Sequence, residues 1–119
     1  MTPIEMYNEA MKILQDVEDC APGTMLPQVT VLLGESGSLY FAVNDLMGSV
    51  CRKLTEEGEV GVAAMLTVWQ DGGTDLSSYN FRRSMLLWSP TCENTLVLLG
   101  DGEEFTSRPL KDTLPPQGT

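Results

Sequence analysis

Residues 60–69 read VGVAAMLTVW and form the most apolar stretch of the chain. The run is too short to cross a lipid bilayer, because a membrane-spanning helix needs about twenty apolar residues. Its β-branched residues favour an extended strand, and its continuous apolar character is typical of a strand covered on both faces. We therefore predict that residues 60–69 form the central strand of a sheet.

The segments before this strand show first a hairpin pattern and then a helix pattern. Residues 29–33 and 38–43 are strand-like, and the glycines of the intervening Gly-Glu-Ser-Gly segment favour a tight β-hairpin. Across residues 44–58, apolar side chains recur at every fourth position until a glycine ends the pattern. This spacing predicts a short helix that crosses from the hairpin to the central strand.

The first residues of the chain carry a helix start signal. Thr2 is a good N-cap, Pro3 suits the first helical position, and Glu5 stands where it can return a hydrogen bond to the cap. An amphipathic pattern follows, with acidic residues interrupting the apolar ones. We predict a helix up to Cys20, and this pattern does not resemble a signal peptide.

The segments after the central strand predict a second crossover helix and two more strands. Residues 77–88 have apolar side chains at helical spacing, and Pro90 closes that helix. Residues 95–99 and 104–107 are strand-like, and residues 110–114 form a terminal helical turn.

Together these elements predict one α/β domain over residues 1–119, with an N-terminal helix over 1–20 and a tail over 115–119. Strands separated by crossover helices imply a sheet with some parallel pairs and helices on its faces. We therefore expect a three-layer sandwich around a mixed five-stranded sheet.

The charge and the residue types missing from the chain exclude several classes of function. Seventeen acidic residues against seven basic ones give a net charge of −10, which opposes binding to nucleic acid and to anionic membranes. The absence of histidine excludes Ser-His-Asp and Cys-His sites as well as imidazole ligation of a metal. Three cysteines without a Cys-x-x-Cys pair indicate reduced thiols, so we expect a cytoplasmic protein.

The order of elements resembles the cytidine deaminase fold, and short stretches of sequence strengthen the likeness. Residues 25–33 look like the family's first strand and its approach, and residues 39–44 look like the second strand, ending in a Val-Asn pair. Residues 95–99, 101–103 and 110–115 are similar to a later strand, an Asp-Gly turn and a closing Leu-x-x-Leu-Leu-Pro segment. The resemblance covers roughly residues 25–115 and implies the family's fold rather than its activity.

The same resemblance implies that the catalytic machinery is missing. In the family, a zinc ion supplies hydroxide and a glutamate moves protons to the leaving amine. Cys51 falls near the first zinc ligand, but Lys53 stands where the glutamate would be. The two thiolates of the Pro-Cys-x-x-Cys motif become Ser78 and Phe81, and phenylalanine does not bind zinc. We therefore expect no metal, no cofactor and no catalytic residue at these positions.

The implied nucleoside pocket is also reduced. Asn44 matches the asparagine that contacts the ribose, whereas Leu46 replaces a glutamate two positions later. Leu26 stands at the aromatic residue that packs on the base. Asn44 and Leu26 are thus the candidate substrate-binding residues.

The remaining candidates each have a simple structural alternative. Cys51, if it lies at a helix N-terminus beside Arg52 and Lys53, would have a lowered pKa and could act as a nucleophile. Without a histidine the general base is absent, so a small buried apolar residue is the favoured interpretation. A zinc site of three distant cysteines is a further alternative. The pair Arg82–Arg83 is expected to meet acidic groups in a neighbouring strand or subunit, or else to hold a phosphate.

The second crossover helix has apolar residues on more than one face. Tyr79, Phe81, Met85, Leu86, Leu87 and Trp88 all lie in it. Such a helix needs cover on both sides, which favours a homo-oligomer, a dimer or a tetramer, as the resemblance also implies. A well-buried helix in a monomer is the alternative.

These observations predict a catalytically inactive cytidine deaminase-like protein with a regulatory, assembly or nucleoside-binding role. In the binding role, Asn44 and backbone groups would contact a nucleoside or nucleotide. The alternative is a divergent nucleoside deaminase or hydrolase that uses the same cleft, with Cys51 and the displaced carboxylate of Glu56 or Glu57.

Overall fold

A computed structural model describes residues 1–20, 28–43 and 47–114 of the chain. These residues form three α-helices, six strands and two 3-10 helices. In chain order the elements are α1 (Pro3–Cys20), β1 (Gln28–Gly34), β2 (Leu39–Val43), α2 (Met47–Glu56), β3 (Val62–Trp69), β4 (Thr74–Asp75), α3 (Tyr79–Trp88), a first 3-10 helix (Pro90–Asn94), β5 (Leu96–Gly100), β6 (Phe105–Pro109) and a second 3-10 helix (Leu110–Thr113).

The strands form a mixed sheet in the order β2-β1-β3-β5-β6, and the two-residue β4 pairs with β3 off this path. The pair β3–β5 is parallel, and the other pairs are antiparallel. The predicted hairpin is β1–β2, and the predicted central strand is β3. The predicted α/β fold with a mixed sheet is therefore confirmed. Strand β4 was not predicted, because a segment of two residues is too short to show a periodic pattern.

Helix α1 covers one face of the sheet, which we call the α1 face. Its start has the predicted reciprocal cap, because the Glu5 N–H donates to Thr2 Oγ1 at 3.2 Å and the Thr2 N–H donates to Glu5 Oε1 at 3.2 Å. The side chains that α1 buries, Met6, Ala10 and Leu14, lie four positions apart, as one helical stripe requires. The cluster on this face consists of Met6, Ala10, Leu14, Val29, Val31, Ala64, Leu66, Val68 and Leu98.

Helices α2 and α3 cover the opposite face, which we call the α2/α3 face. Alternate residues of the strands point to this side, because successive side chains of a strand lie on opposite faces. The result is three layers with the sheet in the middle. The cluster on this face consists of Leu32, Tyr40, Ala42, Val50, Leu54, Val62, Met65, Phe81, Met85, Cys92, Val97 and Leu110.

Several predicted element boundaries shift for identifiable reasons. The helix predicted from residue 77 begins at Tyr79, since Ser78 is its N-cap. The strand predicted from residue 60 begins at Val62, and the Val60 carbonyl instead accepts a hydrogen bond from the Ser89 hydroxyl at 2.9 Å. Pro90 does follow the end of α3, but it also opens a 3-10 helix that the sequence pattern missed.

The described helices were also compared with the length and hydropathy that a membrane span requires. None of them is both long enough and apolar enough to cross a bilayer.

Candidate functional site

Buried polar side chains concentrate at one end of the α2/α3 face. The start of β1 pairs with the end of β3, so that Thr30 lies opposite Thr67 and Gln28 lies opposite Trp69. Ser77 follows β4 by two residues, and β4 pairs with the same end of β3. Gln28, Thr30, Thr67 and Ser77 are all buried, and we call these four residues the polar end.

The polar end interrupts an otherwise apolar face. Leu32 and Met65, the next residues along β1 and β3 on this face, belong to the apolar cluster. The hydroxyls of Thr30 and Thr67 lie 2.7 Å apart and share a hydrogen bond inside the protein. Ser77 is only 3% exposed, and its Oγ finds no hydrogen-bond partner in the part of the chain that the structure describes. A buried hydroxyl without a hydrogen-bond partner raises the free energy of the folded state, so such a group indicates a possible binding site.

Helix α3 begins beside the polar end, and the chain itself completes that helix start. The Phe81 N–H donates to Ser78 Oγ at 3.2 Å, so the Ser78 hydroxyl serves as the N-cap. The Phe81 ring is 1% exposed and packs in the cluster with Val50 and Leu54 of α2. The two positions that the resemblance assigns to thiolates are therefore a helix cap and a core residue.

These side chains do not fit a zinc ion. Structural and catalytic zinc sites take thiolate, imidazole or carboxylate ligands, and Ser78 and Phe81 supply none of these. In the described parts of the chain, no three side chains of His, Cys, Asp or Glu come together as possible metal ligands.

Cys51 does not lie at the N-terminus of a helix, which corrects its predicted placement. It is the fifth of the ten residues of α2 and packs against the α2/α3 cluster. Burial raises the pKa of its thiol, and the nearby Cys92 raises it further. This raised pKa disfavours the interpretation of Cys51 as an activated nucleophile, because desolvation favours the neutral thiol.

Cys92 lies towards the opposite end of the sheet from Ser78. It belongs to the first 3-10 helix, and the Thr95 hydroxyl that follows it donates to the carbonyl of Val62, the first residue of β3, at 2.6 Å. Burial also raises the pKa of the Cys92 thiol. Both thiols thus behave as core residues.

Lys53, the residue at the expected position of the glutamate, faces solvent. Its side chain is exposed and pairs with Glu57 one turn later, with 4.0 Å between Nζ and Oε1. Such an exposed pair within one helix contributes little to stability. The Lys53 side chain therefore belongs to the outer surface of α2.

Among the described residues, Arg82 meets no acidic side chain of a neighbouring strand, so this part of its prediction is not confirmed. Its Nε donates to the carbonyl of Ser77 at 3.0 Å, and its Nη1 donates to the carbonyl of Thr113. The next residue, Arg83, lies outside, where its Nη1 donates to the Tyr79 hydroxyl at 3.3 Å. The predicted pair of arginines is thus divided between the interior and the surface.

The candidate substrate-binding residues Leu26 and Asn44 lie outside the described residues. The sequence interpretation also missed Thr30, Thr67 and Ser77. A signal existed for the two threonines, since each is a polar residue within an apolar strand run, but their pairing depends on the register of β1 and β3.

Comparison with known proteins identifies the fold. No protein family model matches the chain, and no curated protein matches it. The crystal structure of cytidine deaminase from Mycobacterium tuberculosis matches with a TM-score of 0.72 at 16% identity, covering 97% of this chain and 95% of that one. The chain has a cytidine deaminase-like fold.

Two further solved structures agree with this fold. Cytidine deaminase from Burkholderia pseudomallei matches with a TM-score of 0.65 at 15% identity, covering 97% of this chain and 98% of that one. Cytidine deaminase from Mycobacterium leprae matches with a TM-score of 0.64 at 15% identity, covering 92% and 98% respectively. At this identity the likeness shows the fold alone.

Proposed function

We propose that this chain is a cytidine deaminase-like domain without deaminase activity, which binds a ligand of the nucleoside class at the polar end. The observation that carries the proposal is the chemistry of that end of the sheet. Gln28, Thr30, Thr67 and Ser77 offer an amide and three hydroxyls, beside a helix whose first turn holds no acidic residue.

Deamination needs groups that this set of side chains does not supply. Water must be activated and a proton must be carried to the leaving amine, which calls for a metal or a group that titrates near neutral pH. Hydroxyls and amides do not titrate in that range. Ser78 and Phe81 serve α3 as cap and core residue.

A nucleoside suits these polar side chains better than an apolar ligand does. Its sugar hydroxyls and base edges are donors and acceptors, and buried hydroxyls and an amide are the complementary groups. Buried polar groups in proteins normally have a hydrogen-bond partner, and a bound ligand would give the Ser77 hydroxyl such a partner.

Three measurements on the purified full chain test this proposal. Elemental analysis should find less than one zinc per chain, and incubation with cytidine, deoxycytidine and adenosine should release no ammonia. At least one of these nucleosides at millimolar concentration should raise the melting temperature, since a ligand at about 100 times its Kd adds about 2.7 kcal/mol. The variant Ser77→Ala should reduce that shift, whereas Ser107→Ala on the exposed strand β6 should leave it unchanged.

Three results would each contradict a part of the proposal. Ammonia release that follows the protein concentration would favour the divergent deaminase instead. Stoichiometric zinc would show that a metal site forms from residues other than Ser78 and Phe81. An unchanged melting temperature with every nucleoside would remove the binding role.

A second candidate function is homo-oligomeric assembly through α3. Tyr79, Arg83 and Leu87 are four residues apart and form one exposed stripe of that helix, and Leu87 is 76% exposed. Tyrosine and arginine are enriched in protein interfaces, and a large exposed aliphatic side chain beside them is consistent with a covered surface. Light scattering on the full chain should therefore give a dimer or a tetramer, and Leu87→Asp should lower the mass. A monomeric wild-type protein would refute this candidate.

A further inference from the structure

Arg82 is a buried cation with an incomplete set of partners. Its side chain lies in α3 and only 9% of the residue is exposed. The carbonyls of Ser77 and Thr113 each accept one hydrogen bond from the guanidinium. A guanidinium has five N–H donors, so these bonds use two of them.

The described residues contain no acidic partner for this charge. Among the side chains that the structure describes, in residues 1–17, 28–43 and 48–114, the ion pairs are Lys12–Glu9 and Lys53–Glu57, both at the surface. Buried charges in proteins are normally paired with an opposite charge. In a chain with seventeen acidic residues and seven basic ones, this lack of a partner is not due to a shortage of carboxylates.

The position of Arg82 makes the lack of a counter-charge more costly. The bond from Nε to the Ser77 carbonyl holds the guanidinium beside the N-terminal end of α3. That end carries the positive pole of the helix, which disfavours a cation and favours an anion. No acidic residue lies in the first turn of α3 to offset it.

Further donors converge at the same place. The Ser78 hydroxyl accepts the Phe81 N–H, and the N–H groups of Tyr79 and Asn80, the first two residues of α3, have no acceptor within the helix. The Ser77 hydroxyl, nine-tenths buried or more, is without a partner among the described residues. A guanidinium, two N–H groups of the first helical turn and a hydroxyl are together the donor set that binds an oxyanion.

We propose that the N-terminal end of α3, with Arg82 and Ser77, binds a phosphate group, and that the ligand of the polar end is a nucleoside phosphate rather than a free nucleoside. The second half rests on the proposed function, whereas the phosphate site stands without it. Phosphate fits because its oxygens accept bonds from the planar guanidinium and from helical N–H groups at once. The net charge of −10 repels anions in general, so a phosphate that binds here does so through a local site.

The experiment titrates the full chain with inorganic phosphate, cytidine and cytidine monophosphate, following the amide resonances of ¹⁵N-labelled protein. Phosphate should shift the amides of Tyr79 and Asn80 most, and the monophosphate should bind about tenfold or more tightly than cytidine. Arg82→Gln should weaken phosphate binding by about 10- to 100-fold, since it removes a charge-assisted hydrogen bond. The control Arg108→Gln removes the same charge from the exposed strand β6 and should change affinity by less than about twofold.

If Arg82→Gln does not fold, Ser77→Ala tests the phosphate site instead. This variant should weaken phosphate binding several-fold and keep the same pattern of amide shifts. Two results would overturn the inference, namely no phosphate-dependent shift near Tyr79, or an equal loss of affinity in the Arg82 and Arg108 variants. Cytidine binding without any effect of phosphate would leave the proposed function standing and refute the inference. Phosphate binding without any gain from the nucleoside would do the reverse.

Discussion

Replacing Phe81 by alanine tests whether this position has become part of the core. The Phe81 ring is 1% exposed and contacts the cluster shared by α2 and α3. Removing a buried phenylalanine ring costs about 3–5 kcal/mol, because the lost burial is joined by the cost of the cavity. The total stability of a domain is about 5–15 kcal/mol. We therefore expect Phe81→Ala to remove a large part of the free energy of unfolding.

Urea unfolding followed by tryptophan fluorescence measures this loss, because the chain contains Trp69 and Trp88. The melting temperature should fall by about 10–30 °C, since one kcal/mol corresponds to about 3–6 °C for a domain of this size. The matched control is Phe41→Ala, which removes the same ring from edge strand β2, where the residue is 37% exposed. Its expected cost is about 1–2 kcal/mol, because less apolar surface returns to water.

The comparison between the two variants decides the outcome. If Phe81→Ala costs no more than Phe41→Ala, the ring does not support the packing of α3 on α2. The space at this helix end would then be available to a ligand, and the assignment of Phe81 to the core would be wrong.

Three further predictions concern the polar end, a surface carboxylate and a thiol. Thr30→Val should cost about 1–3 kcal/mol because it leaves the Thr67 hydroxyl buried without its partner, and the double variant with Thr67→Val should cost less than the sum of the single ones in urea unfolding. Hydrogen bonds, led by the one from the Ser36 hydroxyl, lower the pKa of Glu59 in the folded protein. The charged carboxylate therefore stabilises the fold fully above its unfolded-state pKa of about 4.3. This stabilisation is lost as the pH falls through the lower folded-state pKa. Glu59→Gln should accordingly be less stable than wild type at pH 7, with the gap closing below about pH 5; a gap that is constant with pH would contradict this. Because its pKa is raised, Cys51 should react slowly with an aromatic disulfide at pH 8 in native protein and rapidly in urea, as mass spectrometry of the labelled peptide would show, whereas fast native labelling would restore the nucleophile hypothesis.

The fold could be predicted because its strongest signals are local. Residues 60–69 carry enough apolar and β-branched side chains to indicate a buried central strand. Thr2 and Glu5 indicate the start of α1, because their reciprocal cap needs only two residues three positions apart. By contrast, β4 contains two residues, and no periodic pattern can appear in so short a segment. The structure adds it only because Thr74 and Asp75 pair with β3.

The site was harder to predict because it depends on where a helix begins and on pairing between distant strands. The spacing of Val50 and Leu54 fixes which face of α2 is buried, but it does not fix the first residue of the helix. Cys51 was therefore placed one turn too close to the helix N-terminus. Thr30 and Thr67 become a hydrogen-bonded pair only through a register that joins residues 37 positions apart.

Arg82 shows a different limit of sequence interpretation. A basic side chain predicts an acidic partner, because opposite charges are the pairs that can be recognised in a sequence. The partners in the structure are two backbone carbonyls, of Ser77 and Thr113, and any residue type can provide a carbonyl. Hydrogen bonds to backbone carbonyls therefore cannot be predicted from residue types alone.

The start of α3 is stabilised by two side chains of the helix and its cap. The Ser78 cap satisfies an N–H group of the first turn, a contribution of about 1 kcal/mol relative to an alanine cap. The buried Phe81 ring adds about 2–3 kcal/mol by leaving water. Both side chains stabilise the end of the helix through the chain's own contacts. What they leave unbalanced is the positive end of α3 beside Arg82, and that is a place for an anion rather than for a cation.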